Sequence, residues 1–116
     1  NASIIVPGQK TSLLATELYQ LLETSDVPAG YINILTTKQN SLNKILAEHE
    51  NIDGIWYFSE NNNERLKVIQ STTSNLKRSW CPQSKNLDWS SKEKDFLEEF
   101  LYQSTQVKNI WIPYGE

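Results

Sequence analysis

Asp53-Gly54-Ile55-Trp56-Tyr57-Phe58-Ser59-Glu60 decides the fold. Ile55 to Phe58 reads as a short buried strand. It runs into polar residues, and a helix starts after Asn61-Asn62-Asn63. In an α/β protein a phosphate or cofactor sits at such a junction, where glycine lets the backbone approach and a free helix N-terminus meets negative charge. Here the strand ends in Ser59 and Glu60. The architecture of a nucleotide site is expected, with its chemistry removed.

Working outward, apolar spacing alternates between the strand and helix periods. Ser3-Ile4-Ile5-Val6 is a short strand closed by Pro7-Gly8. Leu14, Leu18, Leu21 and Leu22 share one helical face, with Thr11 as the expected N-cap. Asp26 to Gly30 is a turn, and Tyr31 to Thr36 a second strand. Leu42, Ile45 and Leu46 mark a second helix, and Leu66, Ile69 and Thr73 a third. Leu76 to Trp80 is a fourth strand, ended by Cys81-Pro82. Ser90 with Glu93 forms a capping box ahead of Phe96, Leu97, Phe100 and Leu101. Val107 to Ile112 reads as a last strand. The expected fold is α/β: one three-layer domain over residues 1–116, with a mostly parallel sheet of about five strands, right-handed crossovers and about four helices.

Composition narrows the function. The chain has 116 residues, a hydrophobic fraction of 38% and a net charge of −3. An acidic balance argues against nucleic acid or an anionic membrane as partner, since both need a basic surface. No apolar run is long enough to span a bilayer, and no secretory leader is visible. The single cysteine, Cys81, excludes an internal disulfide and fits a reducing compartment, so the expected location is cytoplasmic. The lack of methionine suggests a processed or cloned piece of a longer chain.

Candidate reactive groups are few. Cys81 as a nucleophile would need a histidine or a helix N-terminus to lower its pKa. The one histidine, His49, lies at the end of another helix, where a capping or surface role is expected. One histidine and one cysteine do not make a zinc site, and no metal is expected. Gly8, Gly30, Gly54 and Gly115 each stand alone, without a Gly-rich phosphate loop. A magnesium-dependent receiver reading needs acidic residues at several strand ends, and only Glu60 qualifies. Trp56, Trp80, Trp89 and Trp111 read as packing residues, with an aromatic ligand platform as the alternative.

Several motifs together resemble the aldehyde dehydrogenases. Ile4 to Leu13 is similar to that family's V-V-x-K-P-S-E-x-T-P-L, and Val27 to Thr36 to its P-x-G-V-V-N-V-V-T-G. His49 to Asp53 resembles its H-P-x-V-D, and Asn75-Leu76-Lys77-Arg78 its N-L-K-R. The resemblance covers roughly residues 3 to 80 and implies a Rossmann-like, NAD(P)-binding ancestry. Ser104 to Glu116 resembles the C-terminus of the two-module, family-sixteen aldehyde dehydrogenases, whose second module also reads D-x-x-W-Y-F. That module lacks the catalytic cysteine and serves structure and subunit assembly.

The resemblance also implies which positions would face a cofactor: Val6, Pro7, Gln9, Ser59 and Glu60. Pro7 keeps the family's proline, and the other four depart from the pattern. Val6 stands for the lysine that grips the ribose and Gln9 for its glutamate partner. Ser59 and Glu60 replace the glycine and serine of F-T-G-S. A carboxylate beside a pyrophosphate costs about 1 to 4 kcal/mol. No glutamate follows Arg78 where the family's general base would stand, and the strand with the W-N-x-P motif does not precede Ser3. The expectation is therefore a non-catalytic module with no catalytic residues and no bound cofactor. Its expected partner is a second copy or the rest of an aldehyde dehydrogenase chain. The alternatives are a cofactor-binding part of an enzyme whose catalytic residues lie elsewhere, and a free-standing small α/β binding module.

Overall fold

The computed structural model describes residues 1–115, leaving out the side chains of Gln39 and Asn40; Glu116, the end of the tail motif, lies outside the described residues. Among the described residues four strands and four α-helices follow in order: β1 (Ser3–Ile5), α1 (Leu14–Glu23), β2 (Ile32–Ile34), α2 (Gln39–Glu48), β3 (Gly54–Trp56), α3 (Asn62–Thr72), β4 (Arg78–Trp80) and α4 (Lys94–Ser104). Alternating strand and helix, with parallel pairing, is the α/β pattern that the periodicity predicts. Among the described residues the strands form two separate pairs rather than one sheet. β1 pairs with β2, with Ile4 opposite Asn33, and β3 with β4, with Ile55 opposite Ser79. A parallel bridge from Ser59 to Gln83 prolongs the second pair.

The fifth expected strand, Val107 to Ile112, is not a strand among the described residues. Its side chains are open to solvent, with Trp111 92% exposed. Apolar content alone does not make a strand; the backbone also needs a ladder partner.

The packed core lies around β3, between α2 and α3. Ala47 of α2, Tyr57, Val68 of α3 and Cys81 form a buried cluster, with Ile55 against it. β3 alternates across its sheet as a period-two strand must. Ile55 and Tyr57 meet the α2–α3 layer. Trp56 and Phe58 face the other way, toward α4. There Trp80 and Phe100 meet edge to face with centroids 4.8 Å apart, and Trp56 lies 5.0 Å from Trp80. Trp89 closes on Phe58 at 5.1 Å. Three of the four tryptophans are thus packing residues; Trp111 is not. The β1–β2 region is poorly covered. From β1 to β2, Ala15 is the one buried hydrophobic residue among the described residues, while Leu13, Leu14 and Leu21 of the α1 region stand in solvent.

Two helix starts differ from the sequence expectation. α1 begins after Leu13, without a side-chain cap. Thr11 instead closes a 3-10 turn over Gln9–Thr11, and its hydroxyl donates back to the Gly8 carbonyl at 3.2 Å. α4 begins at Lys94 rather than after Ser90. The Ser90 hydroxyl and amide both donate to the Asp88 carboxylate, at 2.6 and 3.0 Å, so the proposed cap is used in a local turn. These bonds hold the Asp88 carboxyl below the usual range.

The approach to β4 carries two cations that close helix ends. Lys77 is buried, and its Nζ donates to the Leu46 and His49 carbonyls, at 2.9 and 2.7 Å, at the C-terminus of α2. Arg78 donates to the Gln103 and Thr105 carbonyls at the C-terminus of α4. Both cations sit where the helix dipole favours positive charge. Between them and α3, Leu76 holds a left-handed φ of 52° with its side chain 93% exposed.

Candidate functional site

The junction after β3 is the expected cofactor edge, and its chemistry starts at the cap of α3. Asn61 has an extended backbone, and its Oδ1 accepts from the amides of Asn63 at 3.0 Å and Glu64 at 3.4 Å. These amides are among the donors that a helix N-terminus offers to an anion. Here the chain's own amide side chain occupies them. The third residue of the helix is Glu64. Its Oε2 accepts from the Tyr57 hydroxyl at 3.0 Å and from the Ser59 hydroxyl at 3.4 Å. Ser59 Oγ in turn accepts from the Asn61 amide at 3.1 Å. A carboxylate is thus fixed inside the first turn of α3, between the strand end and the helix.

Glu60, the carboxylate that the sequence sets against a pyrophosphate, is exposed after Ser59. Glu64, half-buried and hydrogen-bonded to both Tyr57 and Ser59, is the carboxylate built into the junction. Asn61 followed three residues later by Glu64 is the spacing of a capping box, the signal that could have found it. Glu64 departs from the usual box by turning to Tyr57 and Ser59, because Ser59 already satisfies the Asn61 amide. Burial and the Glu64 hydrogen bond push the Tyr57 phenol up.

Val6, Pro7 and Gln9 follow β1, and Ser59 and Glu60 follow β3, so the two groups sit at the ends of separate sheets. Val6 and Pro7 are half-buried, and Gln9 is exposed in its 3-10 turn. Cys81 lies in the core, where burial pushes its thiol up against the opposing pull of the Arg65 guanidinium and the Tyr57 amide. Its carbonyl accepts from Arg65 Nε at 2.8 Å. His49 ends α2, and its Nδ1 accepts from the Asn51 amide at 3.2 Å. The α2 terminus is closed by Lys77, not by the imidazole.

Beside this junction an open groove of about 610 Å³ runs between α2 and α3. Asn43, Lys44 and Glu48 line one wall, and Glu64, Lys67 and Ser71 the other. Its walls are mixed in charge. Among the described residues, no three histidine, cysteine or acidic side chains are grouped to hold a metal.

A model of the Aldehyde dehydrogenase family matches residues 1–81, which span both half-sheets and end at Cys81. The chain is also similar to the NADP/NAD-dependent aldehyde dehydrogenase PuuC of Escherichia coli (strain K12), at 28% identity over 80 residues. That stretch is 69% of this chain and 16% of the relative, so the chain spans about a sixth of the protein it resembles. With a family match over more than half its length, the chain belongs to the aldehyde dehydrogenase family.

Proposed function

We propose that this chain is a non-catalytic aldehyde dehydrogenase-like module with a structural or subunit-assembly role, of the kind found as the second module of the family-sixteen enzymes. The observation that carries the reading is the closed N-terminus of α3. Asn61 takes the Asn63 and Glu64 amides, and the Glu64 carboxylate lies against Tyr57 and Ser59. A dinucleotide pyrophosphate would have to displace an internal cap and sit beside a fixed negative charge. Val6 adds to the loss, because an apolar side chain does not hydrogen-bond a ribose. The exposed apolar residues of α1 and of the tail fit a module that works against another protein surface.

The second reading, a cofactor-binding part of an NAD(P)-dependent oxidoreductase, draws on the α2–α3 groove, whose volume falls in the range of small-molecule sites. The relative PuuC is named for NADP and NAD. Calorimetric titration separates the two. The assembly module gives no saturable heat with either cofactor up to millimolar concentration. A micromolar dissociation constant would overturn it and favour the oxidoreductase reading.

A further inference from the structure

We draw no further inference here: the strongest candidate, the exposed apolar tail from Val107 to Tyr114 taken with the uncovered leucines of the α1 region, carries nothing beyond the assembly role already proposed, because nothing in the structure shows what covers it.

Discussion

At the scale of single residues, Asn61 and Glu64 separate two roles that a helix N-terminus can serve. Their hydrogen bonds stabilise α3, and the same bonds occupy donors that an anion would need. Replacing Asn61 with alanine should lower stability by about 1 kcal/mol, as for other N-cap losses, read as a shift in the urea midpoint at constant slope. An unchanged midpoint would mean that the cap is not holding the helix. Cys81 supplies a pH-dependent test. Burial raises its pKa above the ordinary 9.0, so the folded state keeps a proton that the unfolded state loses first. Stability from this group is complete below pH 9 and is lost as pH rises through the folded value. Tyr57 has the same sign. Lys77 has the opposite sign: burial lowers its pKa below 10.5, so the folded state releases its proton first and gains stability as pH rises toward that value. Cys81→Ala removes one contribution and leaves the other two. The fall in stability between pH 8 and 10 should therefore be shallower, or the rise steeper, than in the parent chain. An identical pH profile would show that the thiol keeps its ordinary pKa in the fold.

At the scale of elements, the core is built around β3 and the two residues that follow it, which send Ile55 and Tyr57 to one helical layer and Trp56 and Phe58 to the other. Phe100 is the residue of α4 that meets this second face, with Trp80 at 4.8 Å and Trp56 at 5.8 Å. Phe100→Ala should cost about 2 kcal/mol, below the range for a fully buried phenylalanine because Phe100 is only half-buried. Tryptophan emission should shift to the red as Trp56 and Trp80 gain water. Emission and stability both unchanged would mean that α4 does not dock there. This element was legible because alternation at Ile55–Phe58 and the Phe96–Phe100 spacing are strong, local patterns. The starts of α1 and α4 were not. Thr11 and Ser90 have the right chemistry for caps, but Gly8 and Asp88, three and two residues away, offer nearer partners. The site was half legible: the loss of glycine at Ser59 is written in the sequence, whereas the bonds of Glu64 to Tyr57 and Ser59 depend on how the strand delivers them to α3. Lys77 as the closure of α2 spans about 30 residues of sequence and has no local signature.

At the scale of the whole molecule, the chain is more open than its length requires. Its radius of gyration is 16.7 Å. A compact domain of this size has about 13 Å. The openness has a cause in the sheets. Ser3 and Ile5 bond toward β2 through Tyr31 and Leu35, so strand alternation turns the Ile4 backbone to the opposite edge. Asp53 and Tyr57 bond toward β4 through Arg78 and Trp80, which turns the Gly54 and Trp56 backbones outward. Among the described residues neither edge meets another strand. Parallel pairs are stable when both faces and edges are covered, and open edges recruit partners. The same chain carries Val107, Ile110, Trp111 and Ile112 in solvent, on a segment anchored where Arg78 meets Gln103 and Thr105. On the assembly reading these features are two sides of one contact, and a symmetric dimer is its expected product. Sedimentation should find the 116-residue chain dimeric at micromolar concentration. Removing residues 107–116 should leave a folded monomer, because the core cluster of Ala47, Tyr57, Val68 and Cys81 does not include the tail. A truncated chain that stays dimeric would move the contact to α1 or the sheet edges. An untruncated 116-residue chain that stays monomeric at high micromolar concentration would rule out self-assembly and leave a different protein as the partner.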